Sequence, residues 1–81
     1  MKITASKSFY KSFGKYDHKF QQHISNAIEK LPSGDVKKLK GNNVPSLFRL
    51  RIRDIRVVFT MNSDSIHLVD IDNRGHIDKQ N

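Results

Sequence analysis

The stretch FRLRIRDIRVVF, residues 48–59, decides how this chain folds. Phe48, Leu50 and Ile52 alternate with Arg49, Arg51 and Arg53, and successive side chains of an extended strand point to opposite faces. One face is then apolar and the other is a row of guanidinium groups. Asp54 sits at a reversal, after which Ile55, Val57 and Phe59 continue the apolar set while Arg56 lies beside Val58. Two strands joined so tightly make an antiparallel hairpin whose apolar face needs a cover. The charged face has a cost of its own, because like charges two residues apart on a strand stand about 7 Å from each other and repel. Something anionic must relieve that repulsion: a protein carboxylate, an acidic partner or a phosphate backbone. Arginine, whose planar fork makes bidentate phosphate contacts, suits the last of these better than lysine.

The cover for the apolar face comes from the N-terminal side. Phe9, Phe13, Tyr16, Phe20, Ile24, Ala27, Ile28 and Leu31 recur at helical spacing. Gly14 and the cap-forming Asp17 divide that run into two helices, roughly residues 6–15 and 17–31, with Ser6 or Ser8 capping the first. Lys7, Lys11, Lys15 and Lys19 follow an i, i+4 row and read as a solvated helix face. A short strand over residues 2–5 precedes the helices, with Ile3 and Ala5 turned inward. Pro32 and Gly34 end the helical region. Residues 35–43 read as a basic loop anchored by Val36 and Leu39. It is no phosphate-binding P-loop, since Gly34 and Gly41 are too far apart and neither Lys-Ser nor Lys-Thr follows the second glycine. Asn62-Ser63-Asp64 marks another hairpin turn before a strand over residues 65–72. The expectation is one α+β domain over residues 1–81, with two N-terminal helices on one face of a small, twisted, mostly antiparallel four-stranded sheet in the order β-α-α-β-β-β.

A chain of 81 residues supports a single core. With 36% hydrophobic residues it can build one helix-on-sheet layer but no deep cavity, which disfavours a cofactor enzyme, so no cofactor is expected. The absence of cysteine excludes disulfides, thiolate zinc sites and cysteine nucleophiles, and it suits a cytoplasmic protein. No stretch has the length of a membrane span or the form of a signal peptide, so no membrane partner is expected. A net charge of +7 points to an acidic partner. All the arginines (Arg49, Arg51, Arg53, Arg56 and Arg74) lie in the second half, whereas every lysine but Lys79 falls at or before Lys40. The two halves therefore have different work to do.

Cleavage of a phosphodiester would need a base, cations for the developing phosphorane charge and an acid for the leaving oxygen. Cations are plentiful, but arginine stays protonated and cannot serve as the base. His76 and Asp78 are the candidate proton carriers close to the cations in sequence. His67 lies mid-strand, and His18 and His23 read as helix-surface residues. Asp70-Ile71-Asp72-Asn73-Arg74-Gly75 echoes the start of a calcium loop, but Arg74 takes a liganding position and Asn81 stands where the closing glutamate is required. No metal site is expected, and Asp70 and Asp72 are read as neutralising nearby arginines.

The order of elements, together with the segments KKLKG (37–41), FRLRIRDIRVVF (48–59) and IDNRG (71–75), resembles the RelE/ParE toxin superfamily, especially its RelE-like mRNA interferase branch. The resemblance spans almost the whole chain. It implies a toxin of a type II toxin–antitoxin pair that enters the ribosomal A site and cuts messenger RNA there, the ribose 2′-hydroxyl attacking the adjacent phosphate without a metal. Its partners would be mRNA on the ribosome, ribosomal RNA and a cognate RelB-like antitoxin. Arg49 and Arg51 match the family's basic positions on the first hairpin strand, Arg56 the arginine of the next strand, and Arg74 the one that ends the last strand. Arg56, Arg74, His76 and Asp78 are then the catalytic candidates, with Arg49, Arg51, Arg53, Lys38 and Lys40 as RNA-binding residues. Two departures stand out. Arginines replace lysines common on the first strand, and Asp78 stands where many relatives have a base-stacking tyrosine. The alternative is a non-cleaving inhibitor on the same fold, either an RNA-binding module or a ParE-like inhibitor of DNA gyrase.

Overall fold

The computed structural model describes residues 2–41 and 46–73. The elements run β1 (Lys2–Ala5), α1 (Lys7–Phe13), α2 (His18–Glu29), β2 (Val36–Lys38), β3 (Phe48–Ile52), β4 (Ile55–Met61) and β5 (Ser65–Asn73). Both helix starts follow from local chemistry. The Ser6 hydroxyl accepts from the Phe9 N–H at 3.1 Å, and the Asp17 carboxylate accepts from the Phe20 N–H at 2.8 Å, satisfying donors that a helix leaves open at its first turn. Lys7, Lys11, Lys15 and Lys19 are all exposed, as the solvated-face reading requires.

The α+β class and the two-helix cover hold, but the sheet has five strands, in the order β1-β5-β4-β3-β2. The additional strand is β2, inside the stretch read as a basic loop. It pairs antiparallel with β3 through Val36–Leu50, Lys37–Arg49 and Lys38–Phe48. Three residues with a single apolar member cannot display a period, and lysines on a short edge strand also guard against unwanted pairing. At the opposite edge β1 runs parallel to β5. Ile3, expected to turn inward, is 41% exposed there, while Ala5 packs on the core.

The core lies between the helices and one face of the sheet. Leu50, Ile52, Ile55, Val57 and Phe59 of the hairpin and Ile66, Leu68 and Ile71 of β5 meet Phe9, Ile24, Ile28 and Leu31. Phe59, Ile24, Ile66 and Val57 are fully buried, and each such side chain contributes about 1.5–3 kcal/mol through loss of apolar surface to water. A bulge in β5 sets which side chains of its second half join them. Phe59 pairs with Leu68 and Val58 with Asp70, so Val69 is an extra residue in the ladder. Without that extra residue being looped out, strict alternation would carry Asp70 and Asp72 into the core and turn Ile71 outward. Instead Ile71 is buried, and both carboxylates belong to the face that bears the arginines.

Candidate nucleic-acid interface

Directly opposed residues of adjacent strands share a face, so the ladder registers assemble the surface. Lys37 of β2 is opposite Arg49 of β3, which is opposite Val58 of β4, which is opposite Asp70 of β5. One rung nearer the hairpin turn, Arg51 is opposite Arg56, and Arg56 is opposite Asp72. The face thus carries a cationic area over β2, β3 and β4, bordered along β5 by two carboxylates. Neighbouring strands are spaced by about 4.8 Å and alternate residues by about 7 Å. Lys37, Arg49, Arg51 and Arg56 consequently crowd a patch the size of a few linked phosphates.

Arg49 is held rather than loose. Arg49 Nη1 donates to the Asp35 backbone oxygen at 3.0 Å and to its carboxylate at 3.3 Å, and the same backbone oxygen accepts from the Arg51 N–H at 3.0 Å. The Arg49 side chain is 14% exposed, so it is largely preplaced before any ligand arrives. The protein carboxylate expected as one possible counter-ion is therefore present, in the form of Asp35. Arg51 and Arg56 are half-buried.

Sequence-based candidates divide sharply in space. Arg49, Arg51 and Arg56 come together. Arg53 does not join them: β3 ends at Ile52, and Arg53 is the first residue of the two-residue turn, with φ 53°. Two-residue hairpin turns require positive φ at that position, and the change of direction sends the Arg53 guanidinium to the helix side, 6.0 Å from the centroid of the Phe20 ring. Lys38 shares its face with Phe48 rather than with the arginines, and Lys40 lies exposed beyond β2. Lys37, not singled out from sequence, is the lysine aligned with the arginines. Recognising β2 as a strand paired with β3 would have revealed it. Arg74, His76 and Asp78 fall outside the described residues.

His67 does share the arginine-bearing face, in register with Thr60. It is four residues along the strand from the Arg56 rung, about 13 Å away by strand rise, too far to move a proton at a phosphate held there. Its Nδ1 instead lies 2.8 Å from Thr4 Oγ1. On the β5 side, Ser12 Oγ donates to the Asp70 carboxylate at 2.8 Å, tying α1 to the acidic border. Tyr16 is close by. Burial pushes its phenol above the ordinary value, and the charges of Asp70 and then Asp72 push it further in the same direction. Among the described residues there is no cluster of three or more histidine, aspartate or glutamate side chains able to hold a metal ion. No described helix is long and apolar enough to cross a membrane.

No protein-family model and no curated protein matches the chain by sequence. Solved structures do match by shape. A chain of the RelB–RelE antitoxin–toxin complex from Methanococcus jannaschii superposes with a TM-score of 0.74 at 21% identity, over 95% of this chain and 96% of that one. The archaeal RelE–RelB complex from Pyrococcus horikoshii gives 0.70 at 22% identity, over 91% and 94%. A conserved hypothetical protein from Helicobacter pylori gives 0.69 at 22% identity, over 93% and 96%. The covered lengths are nearly complete on both sides, so the whole element order is shared, and the chain has the RelE-like fold.

Proposed function

We propose that this chain is the toxin of a toxin–antitoxin pair and acts as a metal-independent endoribonuclease on messenger RNA in the ribosomal A site, restrained by a RelB-like antitoxin. The observation that carries this reading is the gathering of Lys37, Arg49, Arg51 and Arg56 on one face of a RelE-like sheet. Two neighbours by shape are RelB–RelE antitoxin–toxin complexes, which supports the toxin and antitoxin assignment. In this scheme Lys37 and Arg49 hold the RNA backbone and position the adjoining phosphate over the Arg51–Arg56 rung. The ribose 2′-oxygen, losing its proton, bonds to that phosphorus, and the two guanidinium groups neutralise charge as the pentavalent phosphorane forms. The bond to the 5′-oxygen of the next nucleotide then breaks and that oxygen takes up a proton, leaving a 2′,3′-cyclic phosphate and a 5′-hydroxyl. Both guanidinium groups are already aligned by the ladder, so little reorganisation accompanies charge development. Asp72, opposite Arg56, keeps a carboxylate beside that guanidinium and limits the repulsion between the paired arginines. Proton transfer to and from the oxygens falls to His76 or Asp78, and Arg74 contributes further positive charge.

Primer-extension mapping on programmed ribosomes is the direct test. Wild-type protein is expected to produce a new cut in the A-site codon, and Arg51→Ala and Arg56→Ala to lower its rate by about 100-fold or more each, the scale of losing one preorganised charge-stabilising donor. A cut unaffected by either substitution would remove the arginine rung from the mechanism. Inhibition of gyrase supercoiling with intact message would place the protein with non-cleaving inhibitors instead. Growth arrest relieved by co-expressing an adjacent small acidic protein would bear on the antitoxin separately from the chemistry.

A further inference from the structure

Arg53 leaves the arginine row and lines a concavity beside α2. The groove has a volume of about 380 Å³ and is bounded by Asp17, Lys19, Phe20, His23 and Arg53. Its floor is aromatic: the Phe20 and His23 rings, one helical turn apart on α2, lie 6.1 Å apart and within 15° of parallel. Its rim is cationic, from Lys19 and Arg53. The one carboxylate present, Asp17, is engaged in capping α2 through the Phe20 N–H. Arg53 Cζ stands over the Phe20 ring, 6.0 Å from its centroid at the outer limit of a cation–π contact, and the residue is exposed, so its guanidinium can still donate outward.

We infer that this groove is a nucleotide subsite for single-stranded RNA, in which one base stacks on the exposed His23 ring, continuing the Phe20–His23 stack, while its phosphate lies between Lys19 and Arg53. Aromatic floors with cationic rims are the general solution for unpaired nucleotides, because every base has a π face and every linkage a charge. An acidic peptide would use the cations but leave the paired rings without a role. The location adds to the argument. Arg53 is two residues along the chain from Arg51, so a strand leaving the Arg51–Arg56 rung past the hairpin tip reaches this groove within a nucleotide or two. The inference rests on the proposed RNA-binding role of the arginine face and extends it around the edge of the sheet.

The test uses 2′-O-methylated hexanucleotides, which lack the attacking hydroxyl and stay intact, carrying 2-aminopurine at successive positions. One position is expected to lose fluorescence on binding to the full chain. His23→Ala and Arg53→Ala should abolish that quenching and weaken the hexamer by about 5- to 10-fold each, the lower part of the range for losing one stacked base, while leaving a dinucleotide unaffected. Arg51→Ala should weaken both ligands yet keep the quenching at saturation. Hexamer affinity unchanged in both groove variants, or competition by polyglutamate as strong as by RNA, overturns the subsite. An Arg51→Ala protein that binds like wild type overturns the arginine-face reading instead, and a wild type that binds no hexamer overturns both.

Discussion

Arg53 combines a strained backbone with an exposed, ligand-ready side chain. At φ 53° its Cβ crowds the following carbonyl, a conformation that costs an L-residue about 1–2 kcal/mol and glycine almost nothing. Comparing two substitutions separates the backbone from the side chain. Both Arg53→Gly and Arg53→Ala delete the guanidinium, but only glycine relaxes the turn, so Arg53→Gly should be the more stable by about 1 kcal/mol in urea unfolding. Equal midpoints would show that the turn carries no strain. Tyr16 offers a second residue-scale test. Its phenol is raised in the folded state by burial and by Asp70 and Asp72, so the folded protein holds that proton longer than the unfolded chain does. The associated stability is fully present below the ordinary phenol value and is lost as pH rises through the folded one. Urea midpoints should therefore fall above about pH 10 in the wild type, and Tyr16→Phe should fall less steeply.

Among the elements, β2 and its approach show what local rules leave undetermined. Gly34 adopts φ 112°, which strains any other residue there, and a Cβ would stand 3.2 Å from Leu50 Cδ1 and require that side chain to give by a few tenths of an ångström. Gly34→Ala is expected to cost about 1–3 kcal/mol, read as a lower urea midpoint with an unchanged m-value. A neutral outcome would mean that the connection can re-form another way. This turn seats Asp35, whose backbone oxygen holds both Arg49 and the Arg51 N–H, so β2 matters to the cationic face beyond contributing Lys37. The helices, the β3–β4 hairpin and the last strand were legible because their apolar periods run long enough to recognise. Val36–Lys38 was not, since its identity as a strand comes from pairing with β3 and not from its own three residues.

For the whole molecule, the relevant quantity is the field of a +7 chain, to which the β2–β4 face contributes Lys37, Arg49, Arg51 and Arg56. Single-stranded RNA held by Lys37, Arg49, Arg51 and Arg56 should release counterions from roughly four phosphates, giving a slope of log affinity against log salt of about −2.8. Lys37→Ala should reduce that slope by about 0.7 and weaken oligonucleotides of different sequence alike, as a backbone contact does. Fluorescence anisotropy titrations over a range of salt would check both figures. A slope unaffected by Lys37→Ala would take β2 out of the interface. Asp70 and Asp72 bound the patch along β5, so the same titrations should favour RNA lying across β2 to β4.

Residue order alone specifies the helix-on-sheet class, the Asp17 cap, the apolar face of the hairpin and the alternation behind Arg49, Arg51 and Arg56, because each depends on neighbours within a few residues, while it leaves the first helix cap open between Ser6 and Ser8. Which other charges join these arginines follows from how distant segments pack. Lys37 enters by strand pairing across a loop, Asp70 and Asp72 by a bulge opposite β4 that shifts the phase of β5, and Arg53 leaves because a tight turn reverses the chain. Those outcomes depend on register between distant segments, which is set by burying the core and closing the ladder rather than by any one segment's own pattern.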